Sequence, residues 1–228
     1  MDSITFGRVT VTLPHLDEPG LYLSDVATLA SARGIVQGFQ YGDADLRDLD
    51  LVETRLVTGR VSNLRVDRMQ LDQVRLDSVE FDTCDLATAR ITDSKLSRVV
   101  FRNCKIMGAG LFGVTLDNVL FDNCKLDYAT FEQIRATGAV VFSKCALTEA
   151  SFTGCDLGGV RLDACNLGLT EFGRGKYQGL DLRGNDLTTL RGVANLGKVL
   201  IDRIQQAELA EALVTELDVT FADNLDGR

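Results

Sequence analysis

The sequence has few of the residues on which most catalytic sites depend. It has no Trp, two Pro and a single His. That residue, His15, follows Pro14 in an irregular segment, which is more typical of a surface or cap residue than of a catalytic base. No glycine-rich loop joins a predicted strand to a helix, so no phosphate-binding motif is visible. The carboxylates also show no acid and base paired in a pocket. We therefore expect no enzymatic activity, no small-molecule substrate, no cofactor and no metal.

Long apolar runs and a basic excess are also missing. No apolar run approaches the roughly 18 residues typical of a transmembrane helix, and Met1-Asp2-Ser3 does not begin a basic-then-apolar leader. The net charge of −9 argues against direct nucleic-acid binding through a basic surface. We expect a cytoplasmic protein with no membrane partner.

What the sequence does contain is an apolar residue at every fifth position. Neither a helix of period 3.6 nor a strand of period 2 explains this spacing. One additional residue interrupts the count, and we assign it to 135–141, which includes Gly138. The first run is Leu46, Leu51, Leu56, Val61, Val66, Leu71, Leu76, Phe81, Leu86, Ile91, Leu96, Phe101, Ile106, Leu111, Leu116, Phe121, Leu126 and Phe131. The second run is Phe142, Leu147, Phe152, Leu157, Leu162, Leu167, Phe172, Tyr177, Leu182 and Leu187.

A second, longer period groups these units in fours. Cysteines recur every twenty residues, with one step of twenty-one at the interruption, and phenylalanines keep the same steps. Four five-residue units are therefore predicted to form one coil, with equivalent residues stacked from coil to coil. The two columns are Cys84, Cys104, Cys124, Cys145 and Cys165, and Phe81, Phe101, Phe121 and Phe142.

Several units carry a small residue, then Asp or Asn, then Leu. Examples are Ala44-Asp45-Leu46, Cys84-Asp85-Leu86, Cys155-Asp156-Leu157, Cys165-Asn166-Leu167 and Ala194-Asn195-Leu196. This pattern resembles the pentapeptide repeat family. The resemblance implies an all-β protein, a right-handed quadrilateral parallel β-helix, to which we add a C-terminal α-helix. The central apolar residue and the small residue two positions before it are expected to point inward.

The expected domains are an N-terminal cap segment at 1–40, the β-helix at 41–189, and a C-terminal cap with a dimerisation helix at 190–228. About seven coils at the roughly 4.8 Å spacing of paired strands predict a rod of about 35 Å.

The six cysteines have two interpretations. Cys155 occupies the inward column of another face, and the other five share one column. Buried free cysteines pack as small hydrophobic residues, and this is the favoured interpretation. A disulfide framework or a zinc site is the alternative.

At the N-terminus, Ile4, Phe6, Val9, Val11 and Leu13 suggest a strand. Ser24-Asp25 is a candidate cap for a short helix that ends near Gly34. We expect this segment to cover the first rung, because an open edge invites further strand pairing.

At the C-terminus, Asp202 and Gln205 suggest a capping box that begins a helix over about 203–217. Its apolar stripe, part of which is expected to cover the last rung, comprises Ile204, Ala207, Ala210, Leu213, Val214 and Leu217. Two roles stay open, capping alone or capping with dimerisation. The resemblance to quinolone-resistance members implies a homodimer through the C-terminus. From the apolar residues of this tail we take as candidate dimerisation residues Ile204, Leu213, Val214, Leu217 and Phe221.

The repeat also sorts the outer surface into faces. The face centred on Leu51, Leu71 and Ile91 is acidic, although Arg90 and Arg174 also lie on it. The next face is predominantly basic. Such asymmetry is either chance variation of solvated faces or a surface for a basic partner. The candidate partner-binding residues of the acidic face are Asp50, Glu53, Asp72, Asp93, Glu132 and Glu171.

A third face is predicted to expose an apolar strip. Val100, Leu120 and Val141 stack on it, and Phe112 is also predicted to point outward. Clustered exposed apolar residues mark contact surfaces. The alternative is that the N-terminal segment covers them.

The resemblance implies a function for this surface. Several bacterial pentapeptide repeat proteins bind type II DNA topoisomerases, DNA gyrase above all, by mimicking DNA. The effect is inhibition, or protection against topoisomerase-directed antibiotics. The alternative is a non-catalytic solenoid scaffold that binds an unrelated protein.

Overall fold

A computed structural model describes residues 2–31 and 34–222 as a parallel β-solenoid of about seven turns followed by one α-helix. The predicted fold class is confirmed. The strands are β1 (Ser3–Phe6), β2 (Val9–Thr12), β3 (Ser24–Asp25), β4 (Ile35–Gly42), β5 (Asp45–Val52), β6 (Arg55–Ser62), β7 (Arg65–Asp72), β8 (Arg75–Asp82), β9 (Arg90–Thr92), β10 (Lys95–Arg102), β11 (Gly110–Phe112), β12 (Thr115–Asp122), β13 (Thr130–Glu132), β14 (Arg135–Ala136), β15 (Val140–Ser143), β16 (Ser151–Thr153), β17 (Arg161–Asp163) and β18 (Glu171–Phe172). A 3₁₀ turn at Val193–Asn195 precedes helix α1 (Gln205–Glu216).

Two parallel sheets form the walls of the coil. One runs from β3 and β4 through β6, β8, β10 and β12 to β15 and β17, and the other runs from β5 through β7, β9, β11, β13 and β16 to β18. Their register follows the predicted twenty-residue period, as in the pairing of Leu96 with Leu116 and of Leu51 with Leu71. Every coil therefore stacks its apolar residues on those of the coil before it.

The interior is filled by columns of apolar side chains, some of which repeat the same residue from coil to coil. The rings of Phe101 and Phe121 stack with centroids 4.9 Å apart and planes 4° apart. A second phenylalanine column, which includes Phe131 and Phe152 at 4.5 Å, meets the first edge to face. Phe131 and Phe142 make that contact at 5.8 Å and 90°. Stacked and edge-to-face arrangements are the favoured geometries of aromatic pairs.

The cysteines are all free and buried, which confirms the favoured interpretation. Each thiol donates to a backbone carbonyl of the previous coil, as Cys124 Sγ does to Phe101 O at 3.3 Å. Burial raises the pKa of the Cys155 thiol to about 11. The raised pKa disfavours the thiolate on which cysteine reactivity depends, so the Cys155 thiol serves as a packing group.

The extra residue lies where the sequence predicts it. Ala136 pairs with Leu116, twenty positions earlier, whereas Val140 pairs with Val119, twenty-one positions earlier. The insertion therefore falls within 137–139. A Cβ on Gly138 would lie 2.1 Å from Asp117 Oδ1, so a side chain there would require the Asp117 carboxylate to move.

The N-terminal segment differs from its prediction. The single strand is an antiparallel hairpin of β1 and β2 that turns at Gly7, whose φ is +59°. The helix predicted to begin at Ser24-Asp25 is wrong, because β3 pairs with Phe39 and Gln40 of β4. The open edge of the first coil supplies these backbone partners. The parallel sheet thus begins before residue 41.

The hairpin covers the strip that was predicted to be exposed. Val100, Leu120 and Val141 are at most 2% exposed, and Val11 of β2 is fully buried against them. The backbone N of Thr12 donates to Asn118 Oδ1 at 3.0 Å. The prediction of an exposed apolar contact at these three residues is therefore wrong, because the N-terminal segment removes them from solvent.

Helix α1 closes the other end with polar groups. Gln205 Nε2 donates to the carbonyl oxygens of Leu182 at 2.9 Å and Asn185 at 2.6 Å. Its Oε1 accepts from Asp202 N at 2.6 Å, which is one half of the predicted capping box. Ala212 is the buried apolar residue of the helix. The predicted stripe faces away from the last rung, so the expectation that it covers the rung is wrong.

No helix in the described segments is both long and apolar enough to cross a lipid bilayer.

Candidate functional site

Four of the six candidate carboxylates, Asp50, Asp72, Glu132 and Glu171, lie on strands of the sheet that runs from β5 to β18. Glu53 and Asp93 directly follow its strands β5 and β9. Asp50 is on the first strand of this sheet and Glu171 on the last. Six coil steps separate them, or about 29 Å at the usual strand spacing. Asp72 is half-buried and the other five are exposed. The acidic face therefore extends along most of the rod.

None of the six carboxylates has an ion pair or a side-chain hydrogen bond within residues 2–31 and 34–222. Several acids elsewhere on the coil are paired. Asp85 binds Lys105 at 3.0 Å, and Asp77 binds Arg98. The carboxylates of the acidic face consequently keep their full charge available to a partner.

The carboxylates do not form a continuous ladder. Asp72 stacks between Val52 and Thr92. Glu132 stacks between Phe112 and Thr153. The six residues therefore lie at separate positions on one face, and a partner that contacts them all must extend across several coils.

An aromatic and cationic pair lies in the middle of this face. The guanidinium carbon of Arg90 is 4.3 Å from the centroid of the Phe112 ring, within the range of a cation–π contact. The half-buried Phe112 ring lies over Gly110, where a Cβ would be 2.3 Å from Phe112 Cε2. The sequence identified both residues as outward-facing, but their contact depends on side-chain direction across two coils.

The neighbouring basic face is partly neutralised. Arg98 pairs with Asp77, and Lys176 pairs with Asp156 at 3.4 Å. The remaining cations of that face are exposed, and they are Arg55, Arg75, Lys95 and Arg135.

A buried charge cluster lies beyond the hairpin and was not predicted. Asp181 Oδ2 accepts from Arg161 Nη1 at 2.7 Å and from Arg183 Nη2 at 2.6 Å. Burial opposes ionisation of Asp181, but the hydrogen bonds from Arg183 and Arg161 outweigh it and lower its pKa to about 2. The twenty-residue spacing of Arg161 and Asp181 is the sequence signal for this contact.

The candidate dimerisation residues lie mainly on the free side of α1 and beyond it. Ile204 is 81% exposed, Leu217 62% and Phe221 56%. Leu213 is also exposed, and Val214 is half-buried.

The described part of the chain has no group of three or more His, Cys, Asp or Glu residues arranged to hold a metal ion. The void between core residues such as Met69 and Phe101 is about 10 Å³, about the volume of a single water probe. The outer faces, rather than the interior, are the surfaces on which this protein can recognise another molecule.

Stacked coils with an inward residue at each fifth position define a parallel β-solenoid of five-residue repeats. The chain contains pentapeptide repeats. The family model described as pentapeptide repeats matches in eight copies, at residues 139–168.

Solved structures that match this chain include two trypsin-treated variants of QnrB1, a plasmid-mediated fluoroquinolone resistance protein. One is 20% identical, with coverage of 82% of this chain and 92% of that chain and a TM-score of 0.43. The other is 14% identical, with coverage of 80% and 99% and a TM-score of 0.47. HetL, a pentapeptide repeat protein involved in heterocyst differentiation regulation from the cyanobacterium Nostoc sp. strain PCC 7120, is 15% identical. It covers 72% of this chain and 86% of its own, with a TM-score of 0.25. Comparison with curated protein sequences gave no match.

Proposed function

We propose that this protein binds a type II DNA topoisomerase, DNA gyrase in the first instance, through its acidic face. Bound there, it acts as a mimic of the DNA segment. The result is inhibition of the enzyme or protection against topoisomerase-directed antibiotics. Such a partner places the protein in the cytoplasm.

The observation that supports this proposal is the absence of ion pairs at the six acidic-face carboxylates within the described residues. Acids of other faces such as Asp77, Asp85 and Asp156 each pair with a cation. A DNA-binding track is lined with Lys and Arg, and anions on a rigid rod displace its counterions as phosphates do. Complementary charge also accelerates the encounter. The length of the face, about 29 Å, suits a track that follows a DNA segment.

The proposal includes a homodimer through the C-terminal helix. Ile204 and Leu217 are large apolar side chains that α1 leaves in solvent, and a second copy is the partner that would cover them. A dimer would join two rods end to end and lengthen the acidic face.

A supercoiling assay with purified gyrase, with and without a quinolone, tests the function. We expect the wild-type protein to change supercoiling or to reduce the effect of the drug at micromolar concentration. The variant Asp72→Lys/Asp93→Lys/Glu132→Lys is expected to lose this effect. A control with the same change in net charge is Asp25→Lys/Asp45→Lys/Glu149→Lys, at exposed residues outside the six, and it is expected to retain the effect.

The proposal fails if the wild-type protein has no effect, or if both triple variants lose it equally. The alternative function, a non-catalytic scaffold for an unrelated protein, is favoured by one observation. Arg90 and Phe112 interrupt the acidic face with a cation and an aromatic ring, features that DNA lacks. A scaffold predicts unchanged supercoiling.

A further inference from the structure

A column of unpaired cations runs along one corner of the rod. Arg55, Arg75 and Lys95 are the first residues of β6, β8 and β10. The parallel register places each beside the next, so their backbones are about 4.8 Å apart. All three side chains are exposed. Neighbouring like charges repel one another, and an anionic partner would relieve that repulsion.

These cations have no carboxylate within 4.0 Å anywhere in the described segments. Two other cations of the same face, Arg98 and Lys176, are paired with carboxylates. The column therefore carries three positive charges that the fold itself does not use.

The column forms one wall of an open groove of about 550 Å³. Val74 and Ser94 form the floor, and both are buried. The Ser94 hydroxyl is satisfied internally, because it accepts from Val74 N at 2.9 Å and donates to Thr92 O at 2.7 Å. The floor offers no free hydrogen-bonding group there, so recognition depends on the two walls.

The opposite wall has the opposite sign. Glu53, Gln73 and Asp93 line this wall, and at one end Gly113 contributes no side chain to it. The two carboxylates would repel a phosphate backbone, which disfavours nucleic acid. They would attract a partner that has cations on one flank and anions on the other.

We infer that this groove binds an α-helix of another protein, laid along the rod axis, with carboxylates on the flank that meets Arg55, Arg75 and Lys95. A helix rises about 4.5 Å over three residues and about 6 Å over four, and these steps bracket the roughly 4.8 Å step of the column. Three acids at i, i+3 and i+7 span about 10.5 Å, against about 9.6 Å for the three cations. Alternate side chains of an extended strand are about 6.7 Å apart, so a strand would match the step of the cation column less well than a helix does. This inference does not rest on binding to gyrase.

The experiment uses a fluorescein-labelled helical peptide of about 20 residues with Glu at i, i+3 and i+7 on one flank and Lys on the other. Fluorescence anisotropy at about 0.15 M salt measures its affinity for the full-length protein. The peptide control has the same composition, with the Glu and Lys residues distributed evenly around the helix. We expect the patterned peptide to bind at least about tenfold more tightly than this control.

The matched protein variants are Arg55→Glu/Arg75→Glu/Lys95→Glu and Arg47→Glu/Lys125→Glu/Lys144→Glu. All six positions are exposed, so both variants are expected to melt like the wild type. The first is expected to weaken binding at least about tenfold and the second less than about twofold.

Four results would overturn the inference. They are equal losses in the two variants, equal binding of the two peptides, tighter binding of a DNA duplex than of the patterned peptide, and no peptide binding up to about 1 mM.

Discussion

Asn185 occupies the position one coil beyond Cys165, and its Oδ1 accepts a hydrogen bond from the Cys165 backbone N at 2.7 Å. Its Nδ2 donates to the carbonyl oxygens of Leu162 and Leu182, both at 2.9 Å. Gln205 follows after another twenty residues and donates to Leu182 and Asn185. The cysteine column therefore ends in two amides, which donate to backbone carbonyls of the preceding coil as the thiols do.

Replacement of this amide tests its role in closing the solenoid. Asn185→Ala removes the acceptor of the buried Cys165 N–H and the amide donor to Leu162 O, at about 1–3 kcal/mol each. We expect the free energy of unfolding, measured by urea denaturation, to fall by about 3 kcal/mol. Lys125→Ala, at an exposed position, is the control and is expected to change stability by less than about 0.5 kcal/mol. Similar effects of the two substitutions would contradict the capping role.

A pair of residues near the N-terminus breaks a column and is expected to behave as a unit. Gly59 lies between Phe39 and Val79 in the register, and a Cβ there would be 2.2 Å from Phe39 Cε1. Gly59→Val is expected to destabilise the protein by about 1–3 kcal/mol through overpacking. Phe39→Val/Gly59→Val removes the ring that causes the clash and is expected to recover much of that loss. Thermal melts of the full double-mutant cycle measure the coupling, and additive effects would contradict it.

Asp181 predicts a defined pH dependence. Because its folded-state pKa is lowered from 3.8 to about 2, its contribution to stability is present above the unfolded pKa and is lost as the pH falls through about 2. The shift corresponds to about 2 kcal/mol.

The comparison is urea unfolding of wild type and Asp181→Asn. We expect the variant to be less stable at about pH 7, with the difference shrinking below about pH 4. A difference that is the same at about pH 7 and pH 2 would show that ionisation of Asp181 contributes nothing.

The N-terminal hairpin is expected to detach without loss of the coil. Val11 is buried in a small cluster with Val100, Leu120 and Val141 that is separate from the main core. Val11→Asp buries an unpaired charge, so the hairpin is expected to release while the coil remains folded. Hydrogen exchange should accelerate at residues 3–12, and binding of an apolar dye should increase. Unfolding of the whole solenoid, or unchanged exchange, would contradict this expectation. Thr5→Asp, at an exposed hairpin position, is the control.

Dimerisation is expected to depend on the free side of α1. Leu217→Asp places a charge among the exposed apolar residues, and the dimer is expected to dissociate, as measured by light scattering coupled to size-exclusion chromatography. Thr215→Asp adds the same charge to an exposed position of the last turn and is expected to leave the dimer intact. A wild-type protein that is monomeric at high concentration would remove the proposed dimer.

The repeat, the inward columns and the site of the insertion could be predicted because they depend on spacing alone. Phe101 and Phe121 stack because they are twenty residues apart, which is the length of one coil. The ends could not be predicted in this way. Ser24-Asp25 has the composition of a helix cap, but the open edge of β4 offered it backbone partners. Val100 alternates outward as expected, yet its burial depends on a hairpin that lies outside the repeat.

The acidic face was predictable as a composition but not as an arrangement. The sequence places Asp72 and Glu132 on one side of the rod, whereas the directions of neighbouring side chains decide whether they form ion pairs. Arg90 lies over Phe112 instead of joining a carboxylate. Side-chain direction of this kind is set by neighbours one coil away, which spacing does not specify.

The bulge at 137–139 gives an otherwise uniform rod a landmark. A perfect repeat offers the same docking surface at each coil, so an attached segment would have several equivalent positions along the axis. Ala139 packs against the hairpin cluster, and the cluster lies between the Glu80 and Asp181 charge groups. The one additional residue thus helps to fix the position of the hairpin along a rod of nearly identical coils.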